Sequence, residues 1–533
     1  MKYNYLILSI CLFFSQNSKA EEGMWLLSQM GLIEKDMKAK GLMLSKEDIY
    51  SINKSSIKDA VVSFGGFCTA EIISNKGLLL TNHHCGDDFV RKHSTVETNY
   101  LKNGFWAKDF NEELPNKNLY VKFLISVEDV TSKVLKNYND TLSFTKRKYI
   151  IKENIDSIIN NLQKDSNLVY KIEGVFEDNQ FLLFKYKYYQ DIRLVGAPPE
   201  RIGLFGGDQD NWMWPRHTGD FALFRIYSDS TGESAKYSSQ NKPFVPKHFL
   251  KISKKGFQEN DFTMVLGFPG KTNRFLTSYG VKEAASQTSP LRVKIRDKKL
   301  KIYSEHMSKS EKIKLEYSDD YSSVSNYWKY YIGQIEGIEK NKVYEKKIKI
   351  EEEFLDWCNE QDSLLKKYGH VLMNLSDCYN RNEKINLYRI YLSEAVFSGP
   401  KIFRTAYSLN RIMNLYENKK VSKEELKIKL NEIYIKSFDE FNYDIDLTLF
   451  VELMTMYKGD LKNIEKPNIF SLVEKRHQDN WYKFGQTSYK KSFLSNKEKF
   501  LSFVKQPSLL KFKQDPLIKT FNSIYDFYID NMY

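Results

Sequence analysis

Leu78-Leu79-Leu80-Thr81-Asn82-His83-His84-Cys85-Gly86 is an apolar run that ends in two histidines and a cysteine. It follows Ser74-Asn75-Lys76-Gly77, a turn sequence, and so reads as a strand folded back on the β-type run Glu71–Ser74. Cys68 and Cys85 flank this hairpin. A bond between them would close a loop of fewer than about twenty residues and stabilise by roughly 3 kcal/mol through lost unfolded-chain entropy. Its more useful effect would be to hold the backbone beside His84. An imidazole held there is a candidate general base, because it can take a proton through one ring nitrogen while a carboxylate orients the other N–H. His83 points to the opposite face if the strand continues, and is expected to be structural.

The carboxylate is expected from His217-Thr218-Gly219-Asp220-Phe221. Asp220 opens the β-type run Phe221–Tyr227, whose start would bury it, and a buried carboxylate needs a cationic or hydrogen-bonding partner. Asp208 and Asp210 are rivals, but they sit in a Gly-rich loop rather than at a strand entrance. Thr-x-x-His-Cys after a hydrophobic strand is also how chymotrypsin-like barrels present the histidine of their triad. The nucleophile is the missing third. Of 25 glycines only Gly232 begins a Gly-x-Ser, and Gly232-Glu233-Ser234-Ala235 has no glycine after the serine. Ser398-Gly399-Pro400 lies in helical sequence that it would break. Neither offers the pair of backbone N–H groups that an oxyanion hole requires. Cys85, paired with Cys68, is not read as a thiol nucleophile.

Metal and phosphate chemistry fit worse. No His-Glu-x-x-His occurs, and His83, His84 and Cys85 are too close in sequence to converge on one zinc. Gly270-Lys271-Thr272 resembles the end of a phosphate-binding loop, but Val265 stands where its first glycine is needed and Pro269 interrupts it. No cofactor and no metal are expected.

Lys2 precedes the apolar stretch Leu6–Phe14, which is too short to span a bilayer, and Ser18-Lys19-Ala20 supplies small residues for cleavage. Residues 1–20 are therefore expected to be a secretory signal, and the mature chain to be periplasmic or extracellular without a membrane span. The cysteines left after Cys11 departs suit an oxidising compartment, and Cys358 and Cys378 are left open as a second pair. The formal charge is +13, but lysines are dispersed among glutamates rather than gathered in a stripe, which speaks against nucleic acid as a partner.

A length of 533 residues allows about two to four domains. From about 60 to 275 the chain carries short β-type runs between Gly, Pro, Asn and Asp turns, among them Leu119–Val127, Phe181–Tyr188 and Phe262–Leu266. Such punctuation predicts barrels or a sandwich. Beyond about 276 the pattern turns helical and rich in Lys and Glu. Ser422-Lys423-Glu424-Glu425 is a capping box for a helix with Leu426, Leu430 and Ile433 on one face, and Phe354, Trp357 and Cys358 have helical spacing.

Several segments together carry a family resemblance: Glu22 to Leu27, Gly77 to Gly86, His93 to Glu97, Asn103-Gly104-Phe105-Trp106-Ala107, Arg193 to Pro199, Gly267-Phe268-Pro269-Gly270 and the long run Phe205 to Asp220. In these the chain resembles the bacterial periplasmic serine dipeptidyl-peptidases of the dipeptidyl-peptidase 7 and 11 type. The resemblance implies a chymotrypsin-like double β-barrel with an inserted all-helical domain, placing barrel sequence in 21–275 and the helical domain in 276–533. It implies that His84 is the general base and Asp220 its orienting acid. It further implies that Asn211, beside Trp212, binds the free α-amine of the substrate, and that Asn326 reaches the substrate backbone from the helical domain.

In the family the chain returns from the helical domain with a Gly-Asn-Ser-Gly-type nucleophile loop, and here the sequence stops at Tyr533. The expectation is therefore a dipeptidyl-peptidase that takes peptides with a free amino terminus, truncated or split into two fragments and inactive alone, its barrel incomplete. A homodimer is left open. The rival from another class is a non-catalytic secreted protein that keeps an amine-binding cleft.

Overall fold

The structure, a computed structural model, describes residues 25–139, 141–162, 167–207, 215–270, 273, 275–438, 441–461 and 464–532. The expected signal segment, residues 1–20, lies outside the described residues, as do Asp208, Asp210, Asn211 and Trp212. The chain groups into two compact units. The first is Met1–Val90, Gly104–Pro198 and Asp220–Gly270; the second is Arg91–Asn103, Pro199–Gly219 and Lys271–Tyr533.

The first unit is built on one antiparallel sheet. Its strands are β1 (Val61–Phe64), β2 (Cys68–Ile72), β3 (Leu78–Thr81), β4 (Phe105–Trp106), β5 (Leu114–Pro115), β6 (Val121–Asp129), β7 (Leu168–Val175), β8 (Gln180–Tyr189), β9 (Asp191–Ala197), β10 (Ala222–Ser228) and β11 (Lys242–Pro243). The ladder runs β4-β9-β10-β3-β2-β1-β6-β8-β7, with β11 on β10 and β5 on β9. The hairpin that opens the sequence reading is present. Glu71 faces Leu80 and Ile72 faces Leu79, and Gly77 turns the chain at φ +64°. That glycine also has no room for a side chain, since a Cβ would stand 3.0 Å from the Phe244 carbonyl oxygen.

β3 then pairs with β10, Ala222 opposite Thr81 and Arg225 opposite Leu78. This long-range pairing carries Asp220 to the end of the histidine strand. The sheet buries Phe64 and Phe224, whose rings lie 5.0 Å apart and both meet Phe89 edge-on at 6.2 Å. Phe89 belongs to the helix His83–Lys92. Gly86 lets that helix lie close to β10, because a Cβ there would come within 3.1 Å of the Ala222 Cβ and 3.2 Å of the Phe224 ring.

The structure departs from the sequence expectations at one strand, and at two further points adds what they left open or did not foresee. The strand does not continue through the histidines: it ends at Thr81 and a helix begins at His83. Phe262–Leu266 is not a strand. Its alternating Phe262, Met264 and Leu266 instead pack on the buried cluster of Met30, Ile33, Leu42 and Ile49, because alternation supplies an apolar face but a strand also needs a ladder neighbour. Within the β-rich half the helix Phe144–Asn161 goes unforeseen, though Ile151, Ile155, Ile158 and Ile159 pack on Val134, Ile172 and Phe181 at helical spacing.

The second unit is helical from Ser278 onward. Ser422 caps the helix Lys423–Ser437 in a full capping box with Glu425, and Leu426 and Leu430 are buried beneath it. Ser398-Gly399-Pro400 interrupts the helices, as its composition requires, between the π-helical segment Leu392–Phe397 and the helix Lys401–Glu417. Cys358 is buried, Cys378 is exposed, and both are free thiols. Among the described residues no helix is long and apolar enough to cross a membrane.

Candidate active site

Three consecutive residues after β3 are tied to three different strands. His83 is buried, and its Nε2 lies 3.2 Å from the carbonyl oxygen of Pro198, the residue after β9. His84 turns its Nδ1 to Asp220 Oδ2, before β10, at 2.9 Å. Cys85 is bonded to Cys68, the first residue of β2. The disulfide expected from the hairpin is thus present, and it holds the residue next to His84.

Asp220 receives more than the ring. Its Oδ1 accepts the backbone N–H of His84 at 3.2 Å, and Asn82 donates Nδ2–H to Oδ2 and to the Asp220 carbonyl, both at 3.2 Å. The carboxylate therefore sits at the start of the helix His83–Lys92, where unpaired N–H groups and the positive end of the helix dipole favour an anion. Burial alone would raise its pKa. The hydrogen bond and charge of His84, with the N–H groups of His84 and His83, outweigh burial and hold it below the usual carboxylate value. The Asp220 side chain is 17% exposed and that of His84 57%. With a carboxylate on Nδ1, the neutral imidazole keeps its proton there and its lone pair on Nε2. That is the tautomer that can remove a proton from an approaching hydroxyl.

Cys68, Cys85 and His84 place ligand-type atoms within 4.8 Å of one another. The two sulfurs are joined, so neither can supply a thiolate to a metal. Asn326 is exposed on the helix Glu311–Lys340 of the second unit. Ser234 follows a turn closed on Asp229, and Ser398 caps the π-helix Leu392–Phe397.

Sequence reasoning missed Asn82, Asp87 and the Pro198 carbonyl. Asp87 Oδ1 is 2.7 Å from His83 Nδ1, one helical turn on. The spacing His83 to Asp87 would have shown this pair had a helix been expected there.

The sequence profile described as Peptidase S46 matches residues 20–532. The chain belongs to the peptidase S46 family. Among curated S46-type relatives, the Asp/Glu-specific dipeptidyl-peptidase of Flavobacterium psychrophilum is 40% identical over 460 residues, covering 85% of this chain and 64% of that protein. Dipeptidyl-peptidase 7 of Capnocytophaga gingivalis is 35% identical over 531 residues, covering 99% of this chain and 73% of that protein. A crystal structure of Porphyromonas endodontalis DPP11 in complex with the dipeptide Arg-Asp superposes with a TM-score of 0.84 at 30% identity, covering 96% of this chain and 74% of that one. The chain thus spans somewhat less than two thirds of the Flavobacterium relative's length.

Proposed function

We propose that this S46 chain carries the base and the orienting acid of a serine-type dipeptidyl-peptidase, which releases dipeptides from the free amino termini of peptides. The observation that carries the reading is the 2.9 Å contact of His84 Nδ1 with Asp220 Oδ2, held by Cys85 on one side and by the Asp220 contacts on the other. In this reading His84 Nε2 takes the proton of a seryl hydroxyl as that oxygen attacks the carbonyl of the second peptide bond. It then returns the proton to the leaving amine, while Asp220 stabilises the imidazolium between the two steps. The seryl group and its oxyanion hole are assigned to polypeptide beyond these 533 residues, in the same chain or as a separate fragment, since no Gly-x-Ser-Gly occurs among them.

The same reading assigns the β-rich unit to part of a chymotrypsin-like double barrel and the helical unit to its inserted domain. The α-amine of the substrate goes to Asn211, beside Trp212, and its backbone to Asn326. Export to the periplasm or cell exterior, with removal of residues 1–20, belongs to the proposal. In that compartment the Cys68–Cys85 disulfide can persist.

The test is hydrolysis of chromogenic dipeptidyl substrates with free and with acetylated amino termini. The 533-residue chain alone is expected to release nothing. The chain supplemented with a nucleophile-bearing S46 segment is expected to cleave only the free-amine substrate and to lose that activity with His84→Ala. Turnover by the chain alone that vanishes in His84→Ala would overturn the assignment of the nucleophile. Equal turnover of acetylated substrate would overturn the exopeptidase reading.

A further inference from the structure

His83 is the histidine that the proposed mechanism leaves unused, and it is almost fully buried, at 1% exposure. Both of its ring nitrogens face oxygen acceptors. Nε2 meets the Pro198 carbonyl at 3.2 Å, and Nδ1 meets a carboxylate oxygen of Asp87 at 2.7 Å. A carbonyl oxygen and an ionised carboxylate can only accept. A neutral ring has one N–H and one lone pair, so in either tautomer it would set a lone pair against one of these oxygens inside the protein. Only the doubly protonated ring serves both.

We infer that His83 is a buried imidazolium, paired with Asp87, and that it positions the neighbouring His84 against Asp220. The inference rests on the proposed role of His84 for what is positioned; the charge follows from the contacts of His83 alone. The Asp87 contact lies off the ideal hydrogen-bonding line, so charge attraction at 2.7 Å is its main component.

The placement explains why a carboxylate is needed there. His83 opens the helix His83–Lys92, where the helix dipole is positive and disfavours a cation. Asp87, one turn on, and Asp220, which accepts the backbone N–H groups at the start of the same helix, supply the two negative charges that act on the ring. Burial works to neutralise the imidazole, but the close carboxylate of Asp87, the Pro198 carbonyl and the charge of Asp220 together raise its pKa above the ordinary histidine value. Mechanically, His83 anchors the residue before the base to the end of β9, as the disulfide anchors the residue after it to β2. His84 is then held from both sides, with its backbone N–H and ring both presented to one carboxylate.

The test is nitrogen-15 spectroscopy of the whole chain labelled in its histidine rings, recorded across pH 6 to 9. The His83 signals are identified by their loss in His83→Gln. Both ring nitrogens of His83 are expected to be protonated at pH 6.5, with a titration midpoint above 6.5. Asp87→Asn is expected to move that midpoint below 6.5, and Asp87→Glu to restore it.

For the positioning role, the low-field proton of the His84–Asp220 hydrogen bond is expected in the wild type and in Asp87→Glu. It is expected to broaden away in Asp87→Asn while thiol titration shows the Cys68–Cys85 bond intact. A wild-type His83 ring with one unprotonated nitrogen at pH 6.5 would overturn the charge assignment. A His84 proton indifferent to Asp87→Asn would overturn the positioning role. If His83→Gln does not fold, the Asp87→Asn and Asp87→Glu chains identify the ring by its shifted midpoint. No readout depends on hydrolysis, so failure here is separable from failure of the peptidase reading.

Discussion

Replacing Cys68 and Cys85 together by serine removes the one covalent tie next to the proposed base, and its effect can be worked out from the fold. The bond closes a loop with a sequence separation of 17 residues. In the chain-entropy account, releasing such a loop frees the unfolded chain by about 3 kcal/mol at room temperature. Little is expected to offset that in the folded state, because serine keeps the size of the site and β2 and β3 remain paired by their own ladder. The loss falls on the β-rich unit.

With a urea dependence of roughly 3 kcal/mol per molar for a unit of this size, the unfolding midpoint of that unit should drop by about 1 M. If opening is rapid, amides of residues 68–81 should exchange with solvent about a hundredfold faster, while amides of the helix Tyr443–Asp460 should not change. Peptide-resolved hydrogen exchange reads both regions in one experiment. Cys378→Ser, at an exposed free thiol, is the control that leaves both unchanged. The reasoning fails if the double variant unfolds at the wild-type urea concentration, or if protection is lost in the helical unit rather than in 68–81.

Three further outcomes are expected. Glu113→Ala leaves the guanidinium of Arg225, bonded to Glu113 at 2.9 Å and almost buried, without its carboxylate, and takes a hydrogen-bond acceptor from Tyr227. Thermal or urea unfolding of the β-rich unit should show a loss of about 3–5 kcal/mol, and a loss below about 1 kcal/mol would contradict the pairing. Gly86→Ala inserts a methyl into a gap of 3.1–3.2 Å against Ala222 and the Phe224 ring, and should cost about 1–3 kcal/mol in the same assay.

The pH dependence of stability should have two opposed contributions from this site. Asp220, lowered in the folded state, contributes stability that is present above its ordinary value of 3.8 and is lost as pH falls through the lower folded value. His83, raised in the folded state, contributes stability that is full below 6.5 and is lost as pH rises through the higher folded value. Asp220→Asn should therefore flatten the acid limb of unfolding free energy against pH and move the alkaline limb only modestly to lower pH, since Asp87 still faces His83 when the Asp220 charge is gone, and the reverse pattern would refute the assignment.

Much of the site was legible because its signals are local. The turn Ser74–Gly77, the apolar run to Thr81 and the flanking cysteines sit within one hairpin, so composition alone reveals the strands and the bridge. The capping box at Ser422 is equally local, since its partners are three residues apart. Phe262–Leu266 shows the limit of such reading. Its period of two predicts one apolar face, which it has, but pairing is a property of a neighbour and not of the segment. The helix at His83 was hidden for a related reason. His83-His84-Cys85-Gly86-Asp87 carries polar and titratable groups that local patterning assigns to a loop, and the burial that favours a helix comes from Phe89 packing on Phe64 and Phe224 of the sheet.

By itself, then, the sequence determined that β-type runs precede a helical stretch, the hairpin and its disulfide, and the residue types that can serve as base and acid, whereas the grouping of Arg91–Asn103 and Pro199–Gly219 with the helical unit is not legible in it. Tertiary structure alone decided that Asp220 reaches His84, because strand pairing between β3 and β10 joins segments far apart in the chain. It also decided that His83 faces a carboxylate on one side and a carbonyl on the other. Periodicity along the chain reports which face of an element is apolar, whereas the protonation state and orientation of a buried ring depend on the atoms that folding brings against it.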